Sequence, residues 1–278
     1  MTKEPMVIIS VKPFSIFKLA GVGCAALLLA VSARAQRADP KDPQNVERGA
    51  QMIKQTVQAR GGERFLSFNT IMSSGIYTPF AQGMSQGPIQ FIDWIVYPDK
   101  ERTEFGKGKK KNRRIQVNVG KTGWVYDGDA ETLKDQTEKQ IEEHLEGLDF
   151  DIDRLLRVAA KGAGVEVGYA GREETRPGER ADVVAIKLKS DQTAYILIDP
   201  QTHLPINLSY EKTEDGQLVK QEIRFNQYVD YDGVKFPNIV DFFRDGVQTG
   251  RLNVQAIKLN PQTPNELFAK PANVKAVK

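Results

Sequence analysis

Two periodicities divide the chain. Over residues 45–60 the apolar positions Val46, Ala50, Ile53 and Val57 recur at helical spacing, and Gly61-Gly62 supplies the stop. From Ser67 onward the texture becomes short runs rich in Val, Ile, Tyr and Phe, broken by Gly, Asp, Asn and Pro. These predict strands near 68–79, 88–97, 100–106, 113–119 and 122–127. A helical interlude is expected at 134–161, then strands near 164–172, 181–189, 193–199, 204–212, 218–230, 234–244 and 247–259. In the later strands Val184, Ile186 and Leu188 oppose Val183, Ala185 and Lys187, while Leu204, Ile206, Leu208 and Tyr210 share a face. Such alternation suits antiparallel sheet with one buried side. The expected class is α+β, mainly β with helices. Its architecture would be a single large curved antiparallel sheet, an incomplete β-barrel, with helices covering one side.

The first 35 residues do not share this texture. Basic residues up to Lys18 precede a 14-residue apolar run, Leu19 to Ser32, and Ala33-Arg34-Ala35 forms a small-x-small site. This is the pattern of a cleaved signal peptide, cut after Ala35, which predicts a periplasmic protein. The stretch before the apolar run is long for this class, and initiation at Met6 in place of Met1 would give a more ordinary leader. The apolar run falls short of the about 20 residues a membrane span needs. Cys24 lies early in that run with Gly21 three positions before it, unlike a lipobox. Residues 36–44, with Pro40 and Pro43, read as a linker, and 45–274 as one domain.

Charge and composition narrow the chemistry. The whole chain has 39 Lys+Arg and 36 Asp+Glu; four of these bases (Lys3, Lys12, Lys18, Arg34) and one acid (Glu4) sit in the leader. The body is therefore balanced at 35 of each sign, which speaks against a dedicated nucleic-acid binder. The single cysteine is also in the leader, so the body has no thiol for disulfide, zinc or nucleophile, and only His144 and His203 remain as imidazoles.

Three segments imitate functional motifs. Gly83-Met84-Ser85-Gln86-Gly87 spells a nucleophile elbow, but Pro88 and a strand follow where a helix is required. An esterase using Ser85, with His203 as base, is thus a remote alternative. Asp149, Asp151 and Asp153 alternate like a calcium loop, yet Arg154 and Ala160 stand where Gly and Glu are needed; a helix cap by Asp151 or Asp153 is expected instead. Lys107, Lys109, Lys110, Lys111, Arg113 and Arg114 concentrate six cations in eight residues. They suit contact with a membrane surface or headgroups, or a solvated hairpin tip. His144, on the stripe of Ile141, Leu145 and Leu148, is expected to pack. No catalytic residue, metal or cofactor is expected.

Several phrases, in order, resemble the periplasmic lipoprotein-carrier family, the LolA/LolB-like outer-membrane lipoprotein-sorting proteins. They are Ala59-Arg60-Gly61-Gly62, Tyr97-Pro98-Asp99-Lys100 with Arg102, and Gly120 to Tyr126. Ile196 to Pro200 with Leu204-Pro205-Ile206 follows, then Tyr228 to Pro237, then Phe268 with Pro271. The resemblance covers most of 45–274. It implies an open β-barrel closed by helices over an apolar cavity for acyl chains, with the helical interlude as lid. In the best-known carriers an arginine precedes the proline of the third-strand passage and latches the lid; here that position is Tyr97. The expected function is a soluble exported carrier of lipoprotein acyl chains or lipid, without covalent chemistry and with transient membrane or membrane-protein contact. Ile92, Trp94, Val96, Trp124, Ile196, Leu208 and Phe225 are the candidates for the acyl cavity. The alternative is a non-carrier envelope scaffold with a protein partner.

Overall fold

The computed structural model describes residues 37–106, 112–214 and 216–277. The expected signal peptide, Cys24 and the cations Lys107, Lys109, Lys110 and Lys111 lie outside the described residues. Four helices precede or interrupt one antiparallel sheet of fourteen strands. Helices α1 (Pro43–Arg60) and α2 (Glu63–Ser67) come first, then β1 (Thr70–Ala81), β2 (Met84–Ser85), β3 (Ile89–Val96), β4 (Lys100–Phe105), β5 (Arg114–Val119), β6 (Thr122–Asp127) and β7 (Thr132–Asp135). Helices α3 (Glu138–Asp149) and α4 (Ile152–Ala160) follow. The chain then returns to β8 (Glu166–Arg176), β9 (Glu179–Lys187), β10 (Thr193–Ile198), β11 (Pro205–Glu214), β12 (Gln217–Tyr231), β13 (Val234–Arg244) and β14 (Val247–Leu259).

The strands are ordered β7-β6-β5-β4-β3-β1-β14-β13-β12-β11-β10-β9-β8, with the short β2 paired to β1. Each half of the chain makes a meander, and the two halves meet where β1 pairs with β14 from Ile71–Leu259 to Pro79–Gly250. The outermost strands β7 and β8 are not joined to each other, so the barrel stays open. Turn chemistry fixes the hairpins: Asp232 and Gly233 both adopt positive φ between β12 and β13, and Asp199 Oδ1 accepts from the amides of Gln201 and Thr202 between β10 and β11.

Following directly opposed pairs across the ladders assigns the two faces of the sheet. Ile95, Ile71, Leu252, Val240, Phe225, Ile223, Leu208, Ile196 and Val184 share the inner one, covered by helices. There Met52, Ile53 and Val57 of α1 and Leu155 and Leu156 of α4 complete the main core. Helix α1 lies close on β8 because Gly49 has no side chain: one there would come within 2.7 Å of the Gly168 backbone. A bulge between Leu197 and Ile198 shifts the pairing with β11. It corrects the expected single face: Leu208 and Tyr210 point inward with the main core, whereas Ile206 packs with Ala181, Val183, Ala185 and Leu197 on the outer side.

Three other expectations are refined. The 134–161 segment opens with strand β7 and contains two helices rather than one. Asp151 does cap α4, accepting from the Arg154 amide at 2.8 Å. The predicted linker is docked: the Ala38 amide bonds to Ala170 O, and Arg37 pairs with Glu173 and lies over the Tyr195 ring.

Candidate functional site

The sheet splits the seven cavity candidates between its faces. Ile196, Leu208 and Phe225 lie together on the inner face, buried in the main core. Trp94, Val96 and Trp124 lie on the outer face, in a second core with Ile115, Val117 and Tyr126. Ile92, on the same side of β3, is 39% exposed. The two groups therefore cannot line one space. The outer group is roofed by the C-terminal segment: Trp124 Nε1 donates to Phe268 O at 3.0 Å, Arg102 donates to Leu267 O at 2.7 Å, and Phe268, Val274 and Val277 fill the layer.

The inner face itself has two chemistries. Under α1 and α4 it is apolar and aromatic, and two arginines are buried at its margin. Arg60 donates to Asp153 at 2.7 Å and to Lys235 O at 2.6 Å, among the rings of Phe65, Tyr228 and Phe236. Arg157 of α4 donates to Phe65 O and Phe68 O and stacks 3.8 Å from the Phe68 ring centre and 4.6 Å from that of Tyr97. The position where the best-known carriers place an arginine thus holds an aromatic ring, and the guanidinium over it comes from the helix.

On β3 to β6 the inner face turns polar. Asp93, Thr103 and Gln116 are opposed in series, as are Ile95, Glu101 and Asn118. Thr103 donates to Asp93 at 2.7 Å. Over Gly123, opposite Asn118, lies Gln136, whose amide donates to Val117 O at 3.1 Å. From α3, His144 brings Nδ1 to 3.3 Å from Glu101 Oε2; the packed histidine expected from sequence is in place, against a carboxylate. Burial pushes the Asp93 carboxyl up to about 7, with the Asp151 charge adding to it against the Thr103 hydrogen bond. Burial likewise raises Glu101 well above its ordinary value, reinforced by Asp93 and Asp151. Asp151 rises to about 6 through burial and the charge of Asp153. Sequence reasoning missed this patch because its members are dispersed over 59 positions, Asp93 to Asp151, and no local spacing links them.

The α3–α4 segment touches both regions. Phe150, at the α3–α4 junction, stacks on Tyr210 of β11 with ring centres 3.6 Å apart. A capping box at Thr137 and Gln140 starts α3. Its residues Ile141, Leu145 and Leu148 remain only half-buried.

The other candidates separate. Ser85 is exposed in β2, followed by a strand, and three strands lie between β1 and the β10–β11 turn that carries His203. Arg113 pairs with Glu104 at 2.5 Å, and Arg114 lies 3.6 Å from Asp127. The end of β4 and the start of β5, which flank the cationic run, lie at the same rim as the ends of β1, β11 and β13, near which Met84, Leu218 and Val247 are exposed.

No family profile and no curated protein matches the sequence. Solved structures do match. A DUF1329 family protein from Desulfovibrio piger superposes with a TM-score of 0.55 at 11% identity, covering 81% of this chain and 97% of its own. An outer membrane lipoprotein-sorting protein domain assigned in Vibrio parahaemolyticus gives 0.53 at 13%, covering 81% and 98%. A LolA superfamily protein from Nitrosomonas europaea gives 0.53 at 10%, covering 80% and 97%. The chain has a LolA-like fold. The open sheet with helices over its inner face agrees with the open β-barrel that the sequence resemblance implied. No helix among the described residues is long and apolar enough to cross a membrane.

Proposed function

We propose that this protein is an exported, periplasmic carrier that shelters acyl chains of a lipoprotein or lipid against the inner face of its sheet, without covalent chemistry. One observation carries the reading: an open LolA-like sheet presents an apolar stretch of its inner face, including Ile196, Leu208 and Phe225, that is covered by helices instead of by more sheet. Helices can shift as units without breaking a strand ladder, so this face is the one that cargo can enter. Burying a methylene is worth about 0.8 kcal/mol, so a 16-carbon chain would gain roughly 13 kcal/mol before ordering costs. That suffices for reversible capture. Trp94, Val96 and Trp124 are assigned to holding the C-terminal segment.

Membrane contact is assigned to the rim that carries Met84, Leu218 and Val247, with the cationic β4–β5 connection supplying attraction to anionic headgroups, about 1 kcal/mol per cation near the surface. The test of the carrier reading is native mass spectrometry and lipid extraction of protein purified from an exported preparation, followed by labelling with a photoreactive fatty acid. Co-purifying lipid, and labels on β10 to β12 in place of β3 and β6, are expected. Clean protein that takes up no fatty acid would leave the fold standing and remove the cargo, turning the search to a protein partner.

A further inference from the structure

We propose that the polar half of the inner face is a headgroup subsite for a cationic amphiphile, with a protonated amine or quaternary ammonium seated among Asp93, Glu101, Asp151, Asn118 and Gln136. The inference rests on the carrier reading and names the class of cargo. Its first support is composition. Three carboxyl groups lie close enough to act on one another, and the hydrogen bonds of the neighbouring guanidinium groups go to other partners. Arg60 donates to Asp153 and Lys235 O, Arg157 to two backbone carbonyls, and Arg154 lies 3.8 Å from Asp149.

The second support is independent of charge. Asn118 is 2% exposed and Gln136 is 7% exposed, yet Asn118 Oδ1 and Gln136 Oε1 have no donor among the described residues. Asn118 stands directly opposite Glu101 on the inner face, and Gln136 lies over the glycine opposite Asn118. Buried amide oxygens without donors are left desolvated and unpaired, so the site is incomplete as it stands. Thr103 already donates to Asp93, the Arg154 amide to Asp151, and His144 stands beside Glu101; what the two amide oxygens still call for is a donor or positive charge, which an ammonium group brings and a carboxylate or phosphate does not.

Accessibility supplies the third. Asp93 and Asp151 keep part of their surface open to solvent, and the Glu101 side chain is 14% exposed, although burial dominates the rise in all three pKa values. Partial access with strong desolvation is the signature of groups lining a recess. Ile95, directly opposite Glu101, packs against the main apolar core, so a head placed here would have its chain run onto that surface. Thr103, Gln116 and His144 complete the lining.

The test compares dodecylammonium, protonated and carrying three N–H donors at pH 8, with dodecanoate, a probe of the same chain length and opposite charge, by calorimetry at pH 8 below their micelle concentrations. The ammonium probe should bind at least tenfold more tightly. In Asp93→Asn/Glu101→Gln that preference should vanish while dodecanoate binding is kept or strengthened, which also reports that the variant is folded. Should the double variant fail to fold, Asn118→Leu keeps the carboxylates and should weaken the ammonium probe several-fold without weakening dodecanoate. Equal affinity, a preference for dodecanoate, or a preference that survives in the variants overturns the subsite and leaves the carrier intact. Binding of neither probe removes both.

Discussion

The two halves of the inner face are built from the same kind of strand and covered by helices from the same chain, yet they solve burial differently. Under α1 and α4, side chains such as Ile196, Leu208 and Ile223 meet Ile53, Val57 and Leu156, and the buried arginines Arg60 and Arg157 are held by Asp153 and by carbonyls, although Arg60 Nη1, Arg157 Nε and Thr56 Oγ1 find no partner among the described residues. Under α3, the strands offer Asp93, Glu101, Gln116 and Asn118, and the buried member of the helix is His144. The first half is a core whose stability comes from packing. The second places polar groups where they are desolvated but not all satisfied, which lowers stability and reserves the space for something else.

The largest effects belong to the packed half. Arg60→Leu leaves Asp153 buried without its partner and should destabilise by about 3–5 kcal/mol in urea unfolding; a loss under 1 kcal/mol would mean that this margin is wetter than it looks. Leu208→Ala removes a fully buried side chain beside Ile196 and Ile223 and should lose about 2–5 kcal/mol.

The polar half should behave in the opposite sense. A carboxyl raised to about 7 when folded holds a proton that the unfolded chain has lost above about pH 4, so its contribution makes stability fall as pH rises between those values. Asp93→Asn should therefore stabilise at pH 8 by about 1 kcal/mol or more, a Tm gain of roughly 2–4 °C, and change little at pH 4. A variant less stable than the parent at pH 8 would contradict the assignment of this half. Trp124→Phe, on the outer face, removes one hydrogen bond to Phe268 O and should lose about 1 kcal/mol without changing fatty-acid uptake. The smallest signal is kinetic. Hydrogen exchange should be faster in α3, whose Ile141, Leu145 and Leu148 stay half-buried, than in α4, which buries Leu155, Leu156 and Arg157.

Most strand positions were legible because alternation and turn residues are local signals: β3, β5, β6 and β10 to β14 lie where the pattern put them, within a few residues. Which face of a strand is inner is not local. On β3 the residues Ile92, Trp94 and Val96 form the more apolar side, and the reading that favoured them as cavity followed that contrast. The inner side of the same strand is Phe91, Asp93 and Ile95. The outward side is partly covered because residues 261–277 return over Trp94 and Val96, and that segment has no periodicity to announce its destination. Strand β7 was hidden by its polar composition, Thr-Leu-Lys-Asp, and the second half of the candidate site by the distance between its members.

The union of β1 with β14 has a consequence for how the molecule is made. Ile71 pairs with Leu259, and Trp124 is roofed by Phe268, so the earliest strands wait for the last part of the chain. Loop closure over such separations must precede the contacts that reward it, which places this topology among slow folders. Until residue 259 has been made, β1 offers an unpaired edge in the middle of the future sheet, a template for pairing with another chain. A nascent or truncated form lacking β14 and the C-terminal segment is thus the species most exposed to aggregation, and the one most in need of a holding chaperone.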